Sequence, residues 1–357
     1  MKASPLKAAL LALALGAGLT VAACGGSSAA AESSPTSGTI TIIGYAGIWK
    51  DAYQKTVIAP FHQKYPDIKV NYVEKRSSAD MLASLKAEQG RPNTDLSIMD
   101  QGVAISGNKQ GMFAKVTEAD APNLANVDKQ FQNAEGYGPV IMADAVALLY
   151  DKQALTTPPT SWNVLWDPAY RQKVAVMAPP STLGLNLEAI VATMQGEDFT
   201  KSTTKAVARL KQLAPNVQTW APTPDEYQAV ITDQVDLSIG QNARGQYYAD
   251  RSNGRLGVVF PTEGTVYQIN TINLLAKAPH AAAAKTFINY ALSPEAQAAF
   301  AAELPYAPSV TNANLPANVA ARVVPTDGSL KVVPIDLDWF SGARDTWTND
   351  WKREVIG

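Results

Sequence analysis

The chain has 357 residues, of which 46% are hydrophobic and 17% charged, with 30 Lys+Arg against 32 Asp+Glu. This balance lacks the basic excess of nucleic-acid-binding proteins, so we expect no nucleic acid partner. The length predicts two domains, and the single cysteine excludes a disulfide within the chain.

Residues 1–23 are predicted to be an export signal peptide. Two lysines precede a short apolar run, LLALALGAGLTVA, and this order is typical of secretion signals. The run is shorter than the roughly 20 apolar residues that span a bilayer. Val21, Ala22 and Ala23 before the only cysteine resemble the bacterial lipobox. The resemblance implies that Cys24 is lipidated and becomes the mature N-terminus.

Residues 24–38 are rich in Gly, Ser, Ala, Thr and Pro. Such a segment buries too little apolar surface to offset chain entropy, so we predict a flexible tether. Because lipid chains hold a protein at a membrane surface, we expect an exported protein anchored through Cys24. It would lie on the outer face of the cytoplasmic membrane, on its periplasmic or extracellular side.

Strands and helices alternate after the tether. TITIIG at 39–44 predicts a strand, and WKDAYQKTVIAPFHQKY at 49–65 predicts a helix. Pro60 should kink or end that helix, because proline lacks the N–H of the next helical bond. IKVNYVE at 68–74 alternates at strand period. The pattern is a βαβ unit, and it predicts the α/β class with a mostly parallel sheet.

The next unit repeats this order. Ser77 with Asp80 three residues later predicts a helix cap, and TDLSIMD at 94–100 predicts a third strand. Loops at the carboxyl ends of parallel strands line the ligand crevice of such sheets. The residues nominated for the crevice in this way are Tyr45, Trp49, Asp100 and Gln101.

Two groups of tryptophans recur at helical spacing. Trp162 and Trp166 are four residues apart, and Trp347, Trp351 and Val355 repeat near the end of the chain. Stripes of this kind are typical of the buried face of a helix. We therefore predict that both groups are core and that the second belongs to a last helix packed on one domain.

The most specific stretch is PTSWNVLWDPAYRQKVAV at 159–176. It closely resembles ABC-transporter solute-binding proteins of the polyamine (spermidine/putrescine) and ferric-ion branch of the periplasmic-binding-protein superfamily. DLSIMD, EGYGPVIMADAVALLYD and FPTEGTVYQINTINLL follow the family's order over roughly residues 39–310. The resemblance implies a type II two-lobed fold with a hinge of crossover strands. It also implies a small solute held between the lobes, delivery to an ABC permease in the membrane, no enzyme activity and no cofactor.

The same resemblance implies discontinuous lobes and a monomer. Lobe 1 would comprise residues 39–143 plus 271–320, and lobe 2 residues 144–270 plus 321–357. Val146 to Tyr150 and Ile269 to Leu275 are expected at the chain crossings. A solute that contacts both lobes only when they are closed favours the closed state by its differential affinity.

Several positions depart from the polyamine-binding pattern. Such relatives hold amines with carboxylates and stack methylenes on tryptophans, whereas the aligned positions here are mostly neutral. The neutral candidates are Ser181, Thr182, Gln241, Asn242, Gln268 and Asn270. Asp100, Asp144 and Glu263 would hold an ammonium, and Arg244 would fork onto a carboxylate or phosphonate. We therefore expect a small polar solute, polyamine-like or zwitterionic. Any single Gln or Asn among them is equally explained as a loop residue and Arg244 as a surface charge, so only their joint placement supports the site.

Three other functions remain open at this point. Tyr247 and Tyr248 form an adjacent pair like the phenolate ligands of ferric-binding relatives, although His62 and His280 fall outside the expected cleft. Sugar binding would use exposed tryptophans, of which Trp220 and Trp49 are the candidates. An exported hydrolase is the weakest alternative, because no Gly-x-Ser-x-Gly elbow occurs and the chain has one cysteine and two histidines.

Overall fold

A computed structural model describes residues 37–88 and 91–357. The predicted signal peptide, Cys24 and the tether up to residue 36 lie outside the described residues, and Gly38 already belongs to the first strand. Within the described ranges, no helix combines the length and apolar character that crossing a bilayer requires.

Within the residues that the structure describes, eleven strands, numbered in chain order, carry the fold. They are β1 Gly38–Tyr45, β2 Ile68–Lys75, β3 Leu96–Asp100, β4 Phe113–Ala114, β5 Val140–Asp151, β6 Val174–Ala175, β7 Val217–Thr219, β8 Leu237–Gln241, β9 Leu256–Val259, β10 Tyr267–Leu275 and β11 Ala307–Pro308. The strands predicted at 39–44, 68–74 and 94–100 are confirmed as β1, β2 and β3.

Helices follow most of the strands and cover the sheet. They are α1 Ile48–Tyr53, α2 Ala59–Lys64, α3 Ser78–Ala87, α4 Gln101–Asn108, α5 Thr182–Met194, α6 Thr204–Lys211, α7 Glu226–Ile231, α8 Asn242–Ala249, α9 Ala281–Ala291, α10 Pro294–Glu303, α11 Ala317–Ala320 and α12 Leu337–Trp351. The predicted cap of α3 is confirmed, since the Oγ of Ser77 accepts from the N–H of Asp80 at 3.1 Å.

The helix predicted at 49–65 continues past Pro60. Between α1 and α2 the chain makes a π-helical turn at Gln54–Ile58, and Pro60 lies in the first turn of α2. The hydroxyl of Thr56 donates to the carbonyl of Ala52 at 2.7 Å. A wider turn lets the chain stay helical where proline lacks the N–H of a normal α-helical bond.

The strands form one sheet in the order β2-β1-β3-β10-β5-β8-β6-β7, with β4, β9 and β11 attached beside it. We call β1–β4, β10 and β11 the first half of the sheet and β6–β9 the second half. Pairing is parallel at both outer ends and antiparallel around β5 and β10 in the middle. The expected parallel sheet is therefore present only at the ends, because the chain crosses over and returns through the middle.

Strand β5 belongs to both halves. All of its 12 residues are buried. Its start pairs with β10 up to Ala145, and from Val146 onward it pairs with β8 and β9. The chain returns to the first half through the segment between β9 and β10. Ile269 to Leu275 then lie wholly in the first half, so this crossing is upstream of the predicted position.

Two main cores flank the sheet. In the second half, Trp162 is fully buried, and its indole N–H donates to the carbonyl of Gly264 at 2.8 Å. Trp351 and Val355, from α12 and the π-helical turn after it, join the same core. The prediction that both tryptophan stripes are structural is confirmed, although residues 162–166 form a 3-10 helix.

Candidate functional site

A cavity of about 850 Å³ opens between elements of the two halves. Its walls come from α3 and α4 on one side and from the start of α5 on another, with β10 between them. The C-terminal segment that leads into α12 forms a further wall. Five residues nominated from the sequence line the cavity, and these are Asp100, Gln101, Ser181, Thr182 and Gln268.

Asp100 is the centre of a hydrogen-bond network at this cavity. Its Oδ1 accepts from the Tyr45 hydroxyl at 2.9 Å, from Nε2 of Gln268 at 2.9 Å and from Nδ2 of Asn270 at 3.2 Å. Its Oδ2 accepts from the hydroxyl of Ser78 at 3.0 Å. All four donors are neutral side chains. They orient the carboxylate and bring no positive charge to it.

Strand geometry explains why these side chains meet. Asp100 ends β3, and its Cα pairs with Asn270 of antiparallel β10. Gln268 is two residues earlier on β10, and side chains at this spacing point to the same face. Tyr45 ends β1. Burial, followed by the nearby Asp100 charge, raises the pKa of Tyr45 well above its ordinary value, so this phenol keeps its proton and donates.

Gln241 connects the network to the second half of the sheet. It ends β8, and its Nε2 donates to Oε1 of Gln268. Gln268 in turn donates to Asp100. Gln241, Tyr45 and Asn270 therefore lie one hydrogen bond behind the cavity wall. These three nominated residues therefore contact residues of the cavity lining without belonging to the lining themselves.

One face of α12 supplies cavity residues that the sequence analysis did not nominate. Leu337, Phe340, Ser341 and Arg344 line the cavity at spacings of three and four residues. Nη2 of Arg344 donates to the carbonyl of Pro180 at 3.3 Å. Trp347 and Trp351 lie seven residues after Phe340 and Arg344 on the same helical stripe, and the rings of Phe340 and Trp347 are 5.4 Å apart. The stripe was visible in the sequence, but it was assigned to the core alone.

Trp49 and Glu263 do not line the cavity. Trp49 is 1% exposed and stacks on Tyr53 in the first-half core, with ring centroids 4.7 Å apart. Glu263 accepts from the hydroxyl of Ser161 and, at 3.2 Å, from the N–H of Trp162. It therefore closes the start of the 3-10 helix, where a carboxylate satisfies free N–H groups.

Asp144, Asn242 and Arg244 surround the start of α8 instead of facing the cavity. Both oxygens of the fully buried Asp144 accept from the N–H of Ala243, at 3.2 and 3.0 Å. Burial raises the pKa of Asp144 to about 7. Nδ2 of Asn242 donates to the carbonyl of Arg322 at 2.9 Å. Asp144 thus serves as the cap that Gln241, at the cap position of α8, does not provide.

A model of the bacterial extracellular solute-binding protein family matches residues 56–324. The chain belongs to this family. The gamma-aminobutyric acid-binding protein of Pseudomonas aeruginosa is 25% identical over 295 residues, which is 78% of this chain and 79% of that protein. The spermidine/putrescine-binding periplasmic protein of Salmonella typhimurium is 25% identical over 245 residues, 65% of this chain and 68% of that protein.

A solved structure supports the fold. The crystal structure of an ABC transporter protein from Clostridium perfringens superposes with a TM-score of 0.73 at 23% identity, covering 88% of this chain and 99% of that one. The suspected family and the two-lobed type II fold are confirmed. The protein is an extracellular solute-binding protein.

The tyrosine pair of this solute-binding protein packs against other side chains of the scaffold. The Arg251 guanidinium carbon lies 3.6 Å from the ring centroid of Tyr247. Tyr248 stacks on Tyr227 with centroids 5.2 Å apart, and burial raises the pKa of Tyr248. Neither ring lines the cavity. The geometry favours helix packing over an iron site.

The remaining candidates for other functions also lie away from the cavity. Trp220 meets Trp351 edge to face, with centroids 5.9 Å apart. Nε2 of His62 accepts from the N–H of Val70 at 3.1 Å, and His280 lies beside Asp95. These contacts explain the side chains as parts of the scaffold of the solute-binding protein.

Proposed function

We propose that this protein captures a small polar solute, polyamine-like or zwitterionic, in the cavity and delivers it to an ABC permease. The observation that carries the proposal is the Asp100 carboxylate, which lines the cavity with four neutral donors around it. A ligand ammonium would supply the opposite charge through charge-assisted hydrogen bonds. The two curated relatives are named for solutes that carry ammonium groups.

Capture would proceed by closure of two lobes around the solute. We place lobe 1 at residues 39–143 plus 271–320 and lobe 2 at residues 144–270 plus 321–357. The crossing of β5 between the halves at Ala145 and Val146 supports this division. A solute bridging both walls would shift the population toward the closed form.

We further propose a binding role without catalysis and without a cofactor. Asp100 is held by donors that orient a charge, and the two histidines lie elsewhere. Binding needs a fixed carboxylate, whereas hydrolysis needs a base within reach of a nucleophile. Incubation of the refolded protein with ester, glycoside and phosphate substrates should give no turnover above that of heat-denatured protein.

We also propose that the protein is exported as a monomer and anchored by lipid at Cys24. The lipobox-like VAAC sequence supports the anchor. A Cys24→Ser variant should leave the membrane pellet, and the native protein should carry acyl mass at its mature N-terminus. Unmodified native protein in the soluble fraction would contradict the anchor.

The test of solute capture begins with a soluble protein starting near Ser33, unfolded and refolded to remove bound ligand. Its melting temperature is then measured with polyamines, zwitterionic amino acids, phosphonates, sugars and ferric citrate. A solute at about 100 times its Kd adds about 2.7 kcal/mol of stability, a shift of several degrees. Absence of any shift in protein shown to be folded would refute capture. A shift with ferric citrate or sugars alone would replace the proposed solute class.

A further inference from the structure

Two opposite charges line the cavity without pairing with each other. The charged residues in its lining are Lys86, Asp100 and Arg344, and Lys86 is exposed to solvent. Among the described residues, neither Asp100 nor Arg344 has an oppositely charged partner within 4.0 Å. A partly buried charge without such a partner carries a desolvation cost that a ligand of opposite charge relieves.

Most N–H donors of the Arg344 side chain make no hydrogen bond to the described part of the protein. Of its five N–H donors, one is given to the carbonyl of Pro180 at 3.3 Å. The guanidinium carbon also lies 5.9 Å from the ring centroid of Phe340. Burial lowers the pKa of Arg344, and the negative charge of Asp100 acts in the opposite direction. The guanidinium has therefore lost water without gaining a carboxylate.

The position of Arg344 is fixed by contacts of α12 with both sides of the cavity. Nζ of Lys109, the residue after α4, lies 3.2 Å from Oδ1 of Asp338 on α12. Phe340 packs in a buried cluster with Leu185 and Ala189 of α5. A side chain on a helix held at two walls is pre-organised, which lowers the entropy lost on binding.

We propose that Asp100 and Arg344 form a two-point site for an amino acid zwitterion with its ammonium and carboxylate at opposite ends of a short chain. The ammonium contacts Asp100, and the carboxylate contacts the guanidinium of Arg344 in a forked pair. This inference rests on the proposed function and narrows its solute class. It assigns to α12 the cationic role that the sequence analysis gave to Arg244.

Charge complementarity decides against the other simple solutes. A diamine would place its second ammonium beside Arg344, and a dicarboxylate would place one carboxylate beside Asp100. Like charges in a partly buried site repel and so select against these partners. An uncharged polar solute would leave both protein charges unpaired.

The test uses four ligands with the same four-carbon chain. Refolded protein is titrated calorimetrically with 4-aminobutanoate, butylamine, butanoate and putrescine, and 3- to 6-carbon ω-amino acids then give the length preference. We expect the zwitterion to bind most tightly. Arg344→Gln should lower the affinity for 4-aminobutanoate by about 10- to 100-fold, because charge-assisted hydrogen bonds are lost. The affinity for butylamine should not change. The 4-aminobutanoate affinity of Arg344→Lys should lie between those of wild type and Arg344→Gln, because lysine keeps the charge and loses the bidentate geometry of the guanidinium.

The matched control is Arg353→Gln, the same substitution in the turn after α12, where Arg353 pairs with Asp350 and Glu354 away from the cavity. It should leave all affinities unchanged. Equal weakening of butylamine and 4-aminobutanoate by Arg344→Gln would overturn the inference, as would unchanged 4-aminobutanoate binding. So would failure of every ω-amino acid to bind.

The outcomes separate this inference from the proposed function. If putrescine binds the wild-type protein and no ω-amino acid does, solute capture stands and the two-point site is wrong. If no compound in the wider solute panel stabilises the folded protein, the proposed function fails as well. Binding of α-amino acids alone would contradict the arrangement of the two charges at opposite ends of the solute.

Discussion

Arg255 donates from Nε and Nη2 to the same oxygen of Asp151, Oδ2, at 2.9 and 2.5 Å. Asp151 ends β5 and is 1% exposed. Carboxylate oxygens of Asp151, Asp233 and Asp236 lie within 4.8 Å of one another. Nη2 of Arg255 also lies 2.6 Å from Oδ1 of Asp233, so one guanidinium balances two of the three acids.

Loss of Arg255 should therefore destabilise the protein strongly. Arg255→Met leaves a buried carboxylate unpaired, which costs about 3–5 kcal/mol, and urea unfolding should show a lower midpoint. Arg353→Met removes a surface ion pair, worth at most about 1 kcal/mol, and is the control. The double variant Arg255→Met with Asp151→Asn should recover part of the loss. Equal midpoints for the two single variants would contradict this assignment.

Glu188 should make stability depend on pH. It is fully buried in α5, and burial raises its pKa from 4.5 to about 8. Between these values the folded protein binds more protons than the unfolded chain, so stability falls as pH rises. Glu188→Gln should remove this pH dependence. The melting temperature of the variant minus that of the wild type should therefore rise as the pH is raised from 5 to 8.5. A constant difference across that range would show that Glu188 does not titrate as described.

Gly184 is required by a close approach at the start of α5. A Cβ there would lie 2.6 Å from Cδ of Pro179 and 2.7 Å from the carbonyl oxygen of Met177. Gly184→Ala should cost about 1–3 kcal/mol through overpacking. Because Ser181 and Thr182 line the cavity one turn earlier, it should also weaken solute binding.

Gly342 provides the matched comparison for that substitution. It lies inside α12, and a Cβ there would meet nothing within 4 Å. Gly342→Ala should stabilise the protein by about 0.5–1 kcal/mol, because alanine favours the helix and restricts the unfolded chain. Thermal unfolding of both variants measures the contrast. The same sign of change in both would contradict the packing described at Gly184.

Gln268 should contribute directly to solute binding. It lines the cavity, donates to Asp100 and accepts from Gln241. Gln268→Ala should lower the affinity for the solute found in the thermal screen by about tenfold, because roughly one hydrogen bond to a charged group is lost. Asn270→Ala should act in the same direction by loosening Asp100. The exposed Gln153→Ala is the control, and unchanged affinity in both site variants would remove this cavity as the solute site.

Sequence reasoning located part of this site for a physical reason. Asp100 was nominated because it ends a strand, and Gln268 was nominated through the family resemblance. They meet because β10, which carries Gln268, pairs with β3. Asp144 was nominated through the family resemblance, but it lies inside the crossing strand β5 and faces the start of α8. Arg344 reaches the cavity only through tertiary packing of α12, which no local pattern of charge or spacing determines.

Strand β5 has a consequence for how the molecule unfolds. Its 12 buried residues are hydrogen-bonded to β10 and β11 on one side of the crossing and to β8 and β9 on the other. Neither half can lose its order without withdrawing partners from the same strand. The amide protons of β5 should therefore be among the slowest to exchange with solvent, at rates set by global opening. A chain cut at the crossing would leave two fragments, each holding only half of this central strand.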